Sequence, residues 1–124
     1  MDKVLVIEDN RDNFKILEYA LIRAGYQVLG TESGLEGVSL AISERPDFIL
    51  MDINLPDIDG IEATRRIRGS KANGKIPIIA ITSYAMTGDR ERILAAGCNG
   101  YIEKPIDPLT IVDQIREVIG KMKV

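Results

Sequence analysis

The chain has 124 residues, of which 45% are hydrophobic and 28% charged, so it can form one folded domain with its own core. Its net charge of −3 and its lack of a long apolar run argue against nucleic-acid binding and a membrane span, and we expect a soluble, cytoplasmic protein. It has no histidine and a single cysteine, Cys98, which excludes histidine-based catalytic sites, internal disulfides and multi-thiolate zinc sites.

Short apolar runs alternate along the chain with segments whose apolar residues recur every three or four positions. The runs at 4–7, 26–29, 48–51, 76–81 and 100–103 predict strands, and the run at 48–51 is typical of a strand buried on both faces. The segments between and after them predict five helices. The apolar face of the first consists of Phe14, Leu17, Leu21 and Ala24; that of the second consists of Leu35, Val38, Ala41 and Ile42.

Two later helices have clear start signals. Asp59 and Glu62 have the spacing of a capping box, and Asp107-Pro108 is typical of an N-cap followed by proline in the first turn. The segment 87–95 is the weakest helix prediction because it has only two bulky apolar residues.

Five strands that alternate with five helices indicate an α/β fold. Such a pattern favours parallel βαβ units with right-handed crossovers, and hence an open, doubly wound sheet. We expect one domain over residues 1–124. Cys98 lies among small residues, which favours a buried structural thiol.

Polar residues follow four of the predicted strands. Glu8 and Asp9 follow the first, Asp52 the third, Thr82 the fourth and Lys104 the fifth. Because ligands of parallel sheets bind beyond the carboxyl ends of the strands, we expect these side chains to meet at one edge. Crowded carboxylates repel unless a cation compensates, and Mg²⁺ prefers oxygen ligands. The set would suit phosphoryl transfer to a carboxylate, with the lysine and the threonine facing the added oxygens.

The sequence resembles the receiver domain of bacterial two-component response regulators, over essentially the whole chain. The matching motifs are Glu8-Asp9, Asp52 with Leu55-Pro56 and Gly60, Thr82, and Tyr101 with Lys104-Pro105. The resemblance covers single-domain regulators and the receiver modules of hybrid histidine kinases. It implies a flavodoxin-like or CheY-like (βα)5 three-layer sandwich whose parallel five-stranded sheet has the order 2-1-3-4-5.

The resemblance also implies a role for each site residue. Asp52 would be the phosphoacceptor, receiving a phosphoryl group from a histidine kinase or a histidine phosphotransfer protein. Mg²⁺ would bind to the side chains of Asp9 and Asp52 and to the backbone carbonyl of Asn54, with Glu8 acting through water. Lys104 would contact the phosphoryl group.

The switch implied by the resemblance involves Thr82 and Tyr101. Thr82 would donate a hydrogen bond to the phosphoryl group, the loop 83–86 would be pulled inward, and Tyr101 would fill the vacated space. The face formed by the fourth helix, fifth strand and fifth helix would then bind an unidentified downstream partner. A cis Lys104–Pro105 bond is also implied. Both a monomer and a phosphorylation-dependent dimer remain open.

Departures from the family pattern are few. The first acid is Glu8 where many members have Asp, and Ser83 follows Thr82 where alanine is usual. Asn54 and Tyr84 occupy positions that tune hydrolysis in this family, so the lifetime of the phosphoryl group cannot be inferred.

Other interpretations exist for the same residues. Glu8 and Asp9 could simply favour the start of the first helix, and Asp52 could be an ordinary loop acid. A Mg²⁺-dependent aspartyl-phosphate phosphatase or phosphotransferase would want a second acid two residues after the nucleophile, where this chain has Asn54. A flavodoxin-like cofactor site would want a phosphate-binding loop in place of the acidic 8–12 segment. We expect a switch with only self-catalysed phosphotransfer and autodephosphorylation, not an enzyme.

Overall fold

The structure is a computed structural model that describes residues 2–71, 74–83 and 89–122. Strands and helices alternate as predicted, and their bounds are β1 (Lys3–Ile7), α1 (Arg11–Arg23), β2 (Gln27–Thr31), α2 (Gly34–Ser43), β3 (Phe48–Asp52), α3 (Gly60–Arg68), β4 (Ile78–Thr82), α4 (Asp89–Ala96), β5 (Gly100–Glu103) and α5 (Ile111–Met122). Tyr84, most of the expected loop 83–86 and the predicted start of the fourth helix lie outside the described residues.

The five strands form one parallel sheet in the order β2-β1-β3-β4-β5, which confirms the predicted fold. The strand β3 lies at the centre, and all five of its residues are buried. This burial explains the four consecutive apolar residues that precede Asp52, because a central strand between two helical layers has no solvent-facing side.

Side chains of each strand alternate between two core clusters, one on each face of the sheet. One cluster includes Val4, Leu50 and Ile79 from the strands and is covered by α1 and α5. The other includes neighbouring strand residues, such as Leu5 and Met51, and is covered by α2, α3 and α4. The sheet is therefore the middle of a three-layer sandwich. In the described part of the chain, no helix has the length and apolarity needed to cross a membrane.

The predicted apolar face of α2 is partly wrong. Leu35 is 47% exposed, and the buried residues of α2 are Gly34, Gly37 and Ala41. A β-carbon at position 37 would lie only 2.4 Å from Cδ1 of Ile7. The helix thus packs on the sheet through small residues, which a search for bulky apolar residues does not detect.

Some element ends also differ from the prediction. The strand β4 begins after Pro77, which has no N–H to donate to a strand ladder, and β2 runs on to Thr31 because its pairing with β1 continues that far. The helix α5 begins at Ile111, whereas Asp107 caps the preceding turn by accepting a hydrogen bond from the Leu109 N–H at 2.9 Å. Two further predictions are confirmed: Asp59 is the N-cap of α3, and Cys98 is buried.

Candidate functional site

The ends of β1, β3 and β5 bring three predicted site residues into contact. Lys104 Nζ lies 3.2 Å from Asp52 Oδ1 and 3.5 Å from Glu8 Oε1. Glu8 and Asp52 are each only 2% exposed, so this ion-pair cluster lies within the protein and not on its surface. The predicted convergence is therefore confirmed for Glu8, Asp52 and Lys104.

Three carboxylates lie together at this edge. Glu8, Asp9 and Asp52 each offer an oxygen within 4.8 Å of the others; Asp9 is exposed, whereas the other two are buried. The group therefore opens to solvent on the side of Asp9. Glu8 is oriented by the start of α1, where the Asn10 N–H donates to Glu8 Oε2 at 3.2 Å. Asn10 in turn caps α1 by accepting a hydrogen bond from the Asn13 N–H.

The electrostatics of the site favour a cation. Burial, and then the neighbouring Asp52 carboxylate, raise the pKa of Glu8 to about 8. Oxygen Oε1 of Glu8 is buried and accepts no hydrogen bond from the described residues; the Lys104 ammonium, at 3.5 Å, is too far for one. An under-coordinated carboxylate oxygen beside two further carboxylates is the kind of oxygen-rich donor set that binds Mg²⁺. The residues present therefore fit this metal.

Asn54 lies at the start of the loop that follows β3. Its N–H donates to Asp52 Oδ1 at 3.2 Å, so the same oxygen accepts from Asn54 and from Lys104. The Asn54 residue itself is exposed. This places the backbone that carries the predicted carbonyl ligand next to the predicted phosphoacceptor.

Thr82 is the last residue of β4, the strand beside Asp52. It is 1% exposed, and its backbone carbonyl accepts a hydrogen bond from the Lys104 N–H at 2.9 Å. Tyr101, on β5, is half-buried, and the guanidinium carbon of Arg90 lies 5.3 Å from its ring centroid. The Lys104–Pro105 bond is cis, as the family resemblance implies. Thr82 thus lies at the edge of the sheet that carries the acids, and Tyr101 contacts α4.

One contact near the site was missed by the sequence analysis. Asp57, in the loop after β3, accepts hydrogen bonds from Ser33 Oγ at 2.6 Å, the Gly34 N–H at 2.8 Å and the Leu35 N–H at 3.0 Å. The hydrogen bond from Ser33, followed by those of the backbone, lowers the pKa of Asp57 well below its usual range. In the sequence Asp57 is only a turn residue after Pro56. Its partners lie more than 20 residues earlier, so no local signal reveals them.

The sequence matches the response regulator receiver domain family over residues 4–116. A relative from Brucella ovis, the polar-differentiation response regulator DivK, is 41% identical over 117 residues, which are 94% of this chain and 95% of the relative.

Solved structures agree with this match. The receiver domain of the sensor histidine kinase PA1611 from Pseudomonas aeruginosa, described with a magnesium ion coordinated in its active site cleft, has a TM-score of 0.87 and 39% identity, covering 96% of this chain and 98% of that one. The chemotaxis response regulator CheY4 of Vibrio cholerae has a TM-score of 0.90 and 28% identity, covering 95% of this chain and 98% of that one. This chain belongs to the response regulator receiver domain family.

Proposed function

We propose that Asp52 accepts a phosphoryl group from the phosphohistidine of a histidine kinase or a histidine phosphotransfer protein, and that this modification switches the protein between two states. The observation that carries the proposal is the cluster of Glu8, Asp9, Asp52 and Lys104 at the strand ends. Membership of the receiver family supports it. The 124 residues contain no histidine, so they do not themselves supply the phosphohistidine.

In the transfer step, an Asp52 carboxylate oxygen attacks the phosphorus of the phosphohistidine. The new bond is P–O, the P–N bond breaks, and the imidazole nitrogen leaves with the electron pair. Lys104 is already paired with Asp52 at 3.2 Å, so its ammonium can neutralise charge on the incoming phosphoryl oxygens. Thr82, at the end of the neighbouring strand, would donate its hydroxyl to one of these oxygens.

Asp9, Asp52 and the backbone carbonyl of Asn54 would hold Mg²⁺, with Glu8 acting through a water. Support comes from the three-carboxylate group and from the PA1611 receiver domain, which has magnesium in its active site cleft. The bound ion would supply positive charge against which the phosphoryl oxygens are oriented.

The readout of the switch would be the face made by α4, β5 and α5. The Arg90–Tyr101 contact joins α4 to β5, so a change in the position of Tyr101 would alter the surface of this face. Leu94, which is 46% exposed on α4, would be part of that surface and could contact an apolar group of a partner. We propose that the protein acts as a signalling switch, with self-catalysed phosphotransfer and autodephosphorylation as its only chemistry.

The first test is intact-mass spectrometry after incubation with acetyl phosphate and Mg²⁺. We expect a gain of one phosphoryl group in the wild type and in Asp12→Asn, an exposed acid on α1, but none in Asp52→Asn or after removal of metal. The proposal would be abandoned if Asp52→Asn were phosphorylated as fast as the wild type, or if the wild type accepted neither a phosphoryl group nor its mimic beryllofluoride.

A separate experiment tests whether modification of Asp52 changes α4 through Tyr101. Hydrogen exchange of α4 and β5 would be compared with and without beryllofluoride in the wild type and in Tyr101→Ala. We expect the beryllofluoride-dependent change in α4 to be lost in the variant, while beryllofluoride still binds. An unchanged response of α4 in Tyr101→Ala would remove Tyr101 from the mechanism.

A further inference from the structure

The loop between β3 and α3 (residues 53–59) is attached to a helix that is distant in sequence. Both carboxylate oxygens of Asp57 are used in this attachment: Oδ2 accepts from Ser33 Oγ and the Leu35 N–H, and Oδ1 accepts from the Gly34 N–H. These donors are the N-cap residue and the first turn of α2. The carboxylate therefore satisfies backbone donors that a helix start would otherwise leave without a partner.

The contact between the loop and α2 is also close in its backbone. A β-carbon at Gly34 would lie 2.8 Å from the Ile58 carbonyl oxygen and 2.8 Å from Ile58 Cγ1. The first residue of α2 thus packs directly against the loop, and the three hydrogen bonds to Asp57 hold it there.

The two ends of the loop are fixed by local bonds. At its start the Asn54 N–H donates to Asp52 Oδ1, and at its end the Gly60 N–H donates to the Ile53 carbonyl at 2.9 Å. Within the described residues, the hydrogen bonds of Asp57 connect the middle of the loop to another element. The rest of the loop is held by the Ile53 N–H, which donates to the Ile81 carbonyl of β4 at 3.3 Å, and by apolar side chains that pack against the core.

We propose that Asp57 is a positioning residue for the metal site: by holding the loop 53–59 against α2, it keeps the backbone of Asn54 in place beside Glu8, Asp9 and Asp52. The inference rests on the proposed function, because it concerns the Asn54 carbonyl as a metal ligand. Asp57 is not itself a ligand, since its oxygens already accept three hydrogen bonds from α2. Its effect on metal affinity arises because a ligand held in place before binding loses less conformational entropy when the metal arrives.

A simpler interpretation is that Asp57 is only a helix cap or only a nearby negative charge. The same loop provides a matched control in Asp59, an exposed acid that accepts from the Glu62 N–H at 2.8 Å and caps α3. Asp59→Asn changes the charge of the loop by the same amount, also at a residue that caps a helix, but it leaves the attachment to α2 intact. A difference between Asp57→Asn and Asp59→Asn therefore isolates the attachment.

The probe is Mn²⁺, whose unbound fraction is measured by electron paramagnetic resonance in a titration of the full chain. We expect Asp57→Asn to weaken Mn²⁺ binding roughly tenfold, as is common when groups that orient metal ligands are removed. Asp59→Asn should change the affinity by less than about twofold, because exposed charges are strongly screened. Ser33→Ala removes one of the three hydrogen bonds to Asp57, and the Ser33 cap on the Glu36 N–H with it, without altering charge; it should give a smaller loss in the same direction.

Phosphorylation by acetyl phosphate gives a second readout. In Asp57→Asn the Mg²⁺ concentration for half-maximal rate should rise, whereas the rate at saturating Mg²⁺ should equal that of the wild type, because the ligand is displaced but not removed. A variant that is merely less stable would not combine a raised half-maximal Mg²⁺ concentration with an unchanged rate at saturating Mg²⁺.

The inference is overturned if folded Asp57→Asn binds Mn²⁺ as tightly as the wild type, or if Asp59→Asn weakens binding equally. Should Asp57→Asn not fold, the Ser33→Ala comparison decides in the same way. Failure of the proposed function has a different signature: wild-type protein that binds no Mn²⁺, or an Asp52→Asn variant that binds it as tightly as the wild type.

Discussion

Glu8 shows how one buried residue sets the behaviour of the site. Its pKa is raised from 4.5 to about 8, mainly by burial, so the metal-free folded protein holds a proton that the unfolded chain releases. Stability from this proton is fully present below the unfolded pKa and is lost as the pH rises through the folded one. The same proton must leave before the carboxylate can serve a cation, so binding of Mg²⁺ should release protons near neutral pH.

We therefore expect the free energy of unfolding of the metal-free protein to fall as the pH rises from 4.5 to about 8, with Glu8→Gln removing most of the fall. One pKa unit corresponds to about 1.4 kcal/mol, so the total effect is limited to a few kcal/mol. Urea unfolding in EDTA at a series of pH values, monitored by far-UV circular dichroism, measures this free energy. Glu36→Gln, an exposed acid on α2, should keep the wild-type pH profile. Parallel profiles for Glu8→Gln and the wild type would show that Glu8 ionises normally in the folded protein.

At the scale of single elements, α2 illustrates packing by small residues. A β-carbon at Gly37 would lie 2.4 Å from Ile7 Cδ1 and 2.9 Å from its Cγ1, and Ile7 is fully buried. Overpacking of a core typically costs ~1–3 kcal/mol. This cost should outweigh the gain in helix propensity of ~1 kcal/mol that alanine brings. We therefore expect Gly37→Ala to lower the urea midpoint of unfolding.

Gly120 provides the matched substitution in α5, because a β-carbon there would have no atom of the described residues within 4 Å apart from its chain neighbours and its own helix backbone. Gly120→Ala should raise the free energy of unfolding by up to ~1 kcal/mol through helix propensity alone. Opposite shifts of the urea midpoint would confirm that packing, and not helix propensity, decides at position 37. A stabilising Gly37→Ala would mean that Ile7 can move without loss.

The same helix marks a limit of prediction from sequence. Apolar periodicity located α2 but assigned Leu35 to its buried face, whereas that face is made of Gly34, Gly37 and Ala41. Periodicity detects bulky apolar residues, and a helix that approaches a sheet through glycines has few of them. By contrast, Asp59 was correctly predicted as the cap of α3 because its partner is three residues away. The hydrogen bonds of Asp57 could not be predicted in this way, since its partners lie at the start of another helix.

For the whole molecule, the pattern of strands and helices was enough to predict an α/β sandwich with polar residues at one edge of the sheet. It did not determine the order of the five strands, which depends on contacts between distant segments and came from the family resemblance. The order matters because β3, with Asp52, lies between β1, with Glu8, and β4, which is followed by β5 and Lys104. The site therefore depends on pairing between strands that are distant in sequence, and it forms only when the whole sheet has formed.

Because the site exists only in the folded sheet, metal binding should stabilise the entire domain. A ligand that binds only the folded state adds RT ln(1 + [L]/Kd), about 2.7 kcal/mol at a hundredfold excess over Kd. For a chain of this length we expect the Tm to rise by roughly 10 °C in Mg²⁺ relative to EDTA. Calorimetry should show this rise in the wild type and in Asp12→Asn, and its loss in Asp52→Asn. An equal rise in Asp52→Asn would place the stabilising ion elsewhere on the molecule, and the acid cluster would then have to be assigned another role.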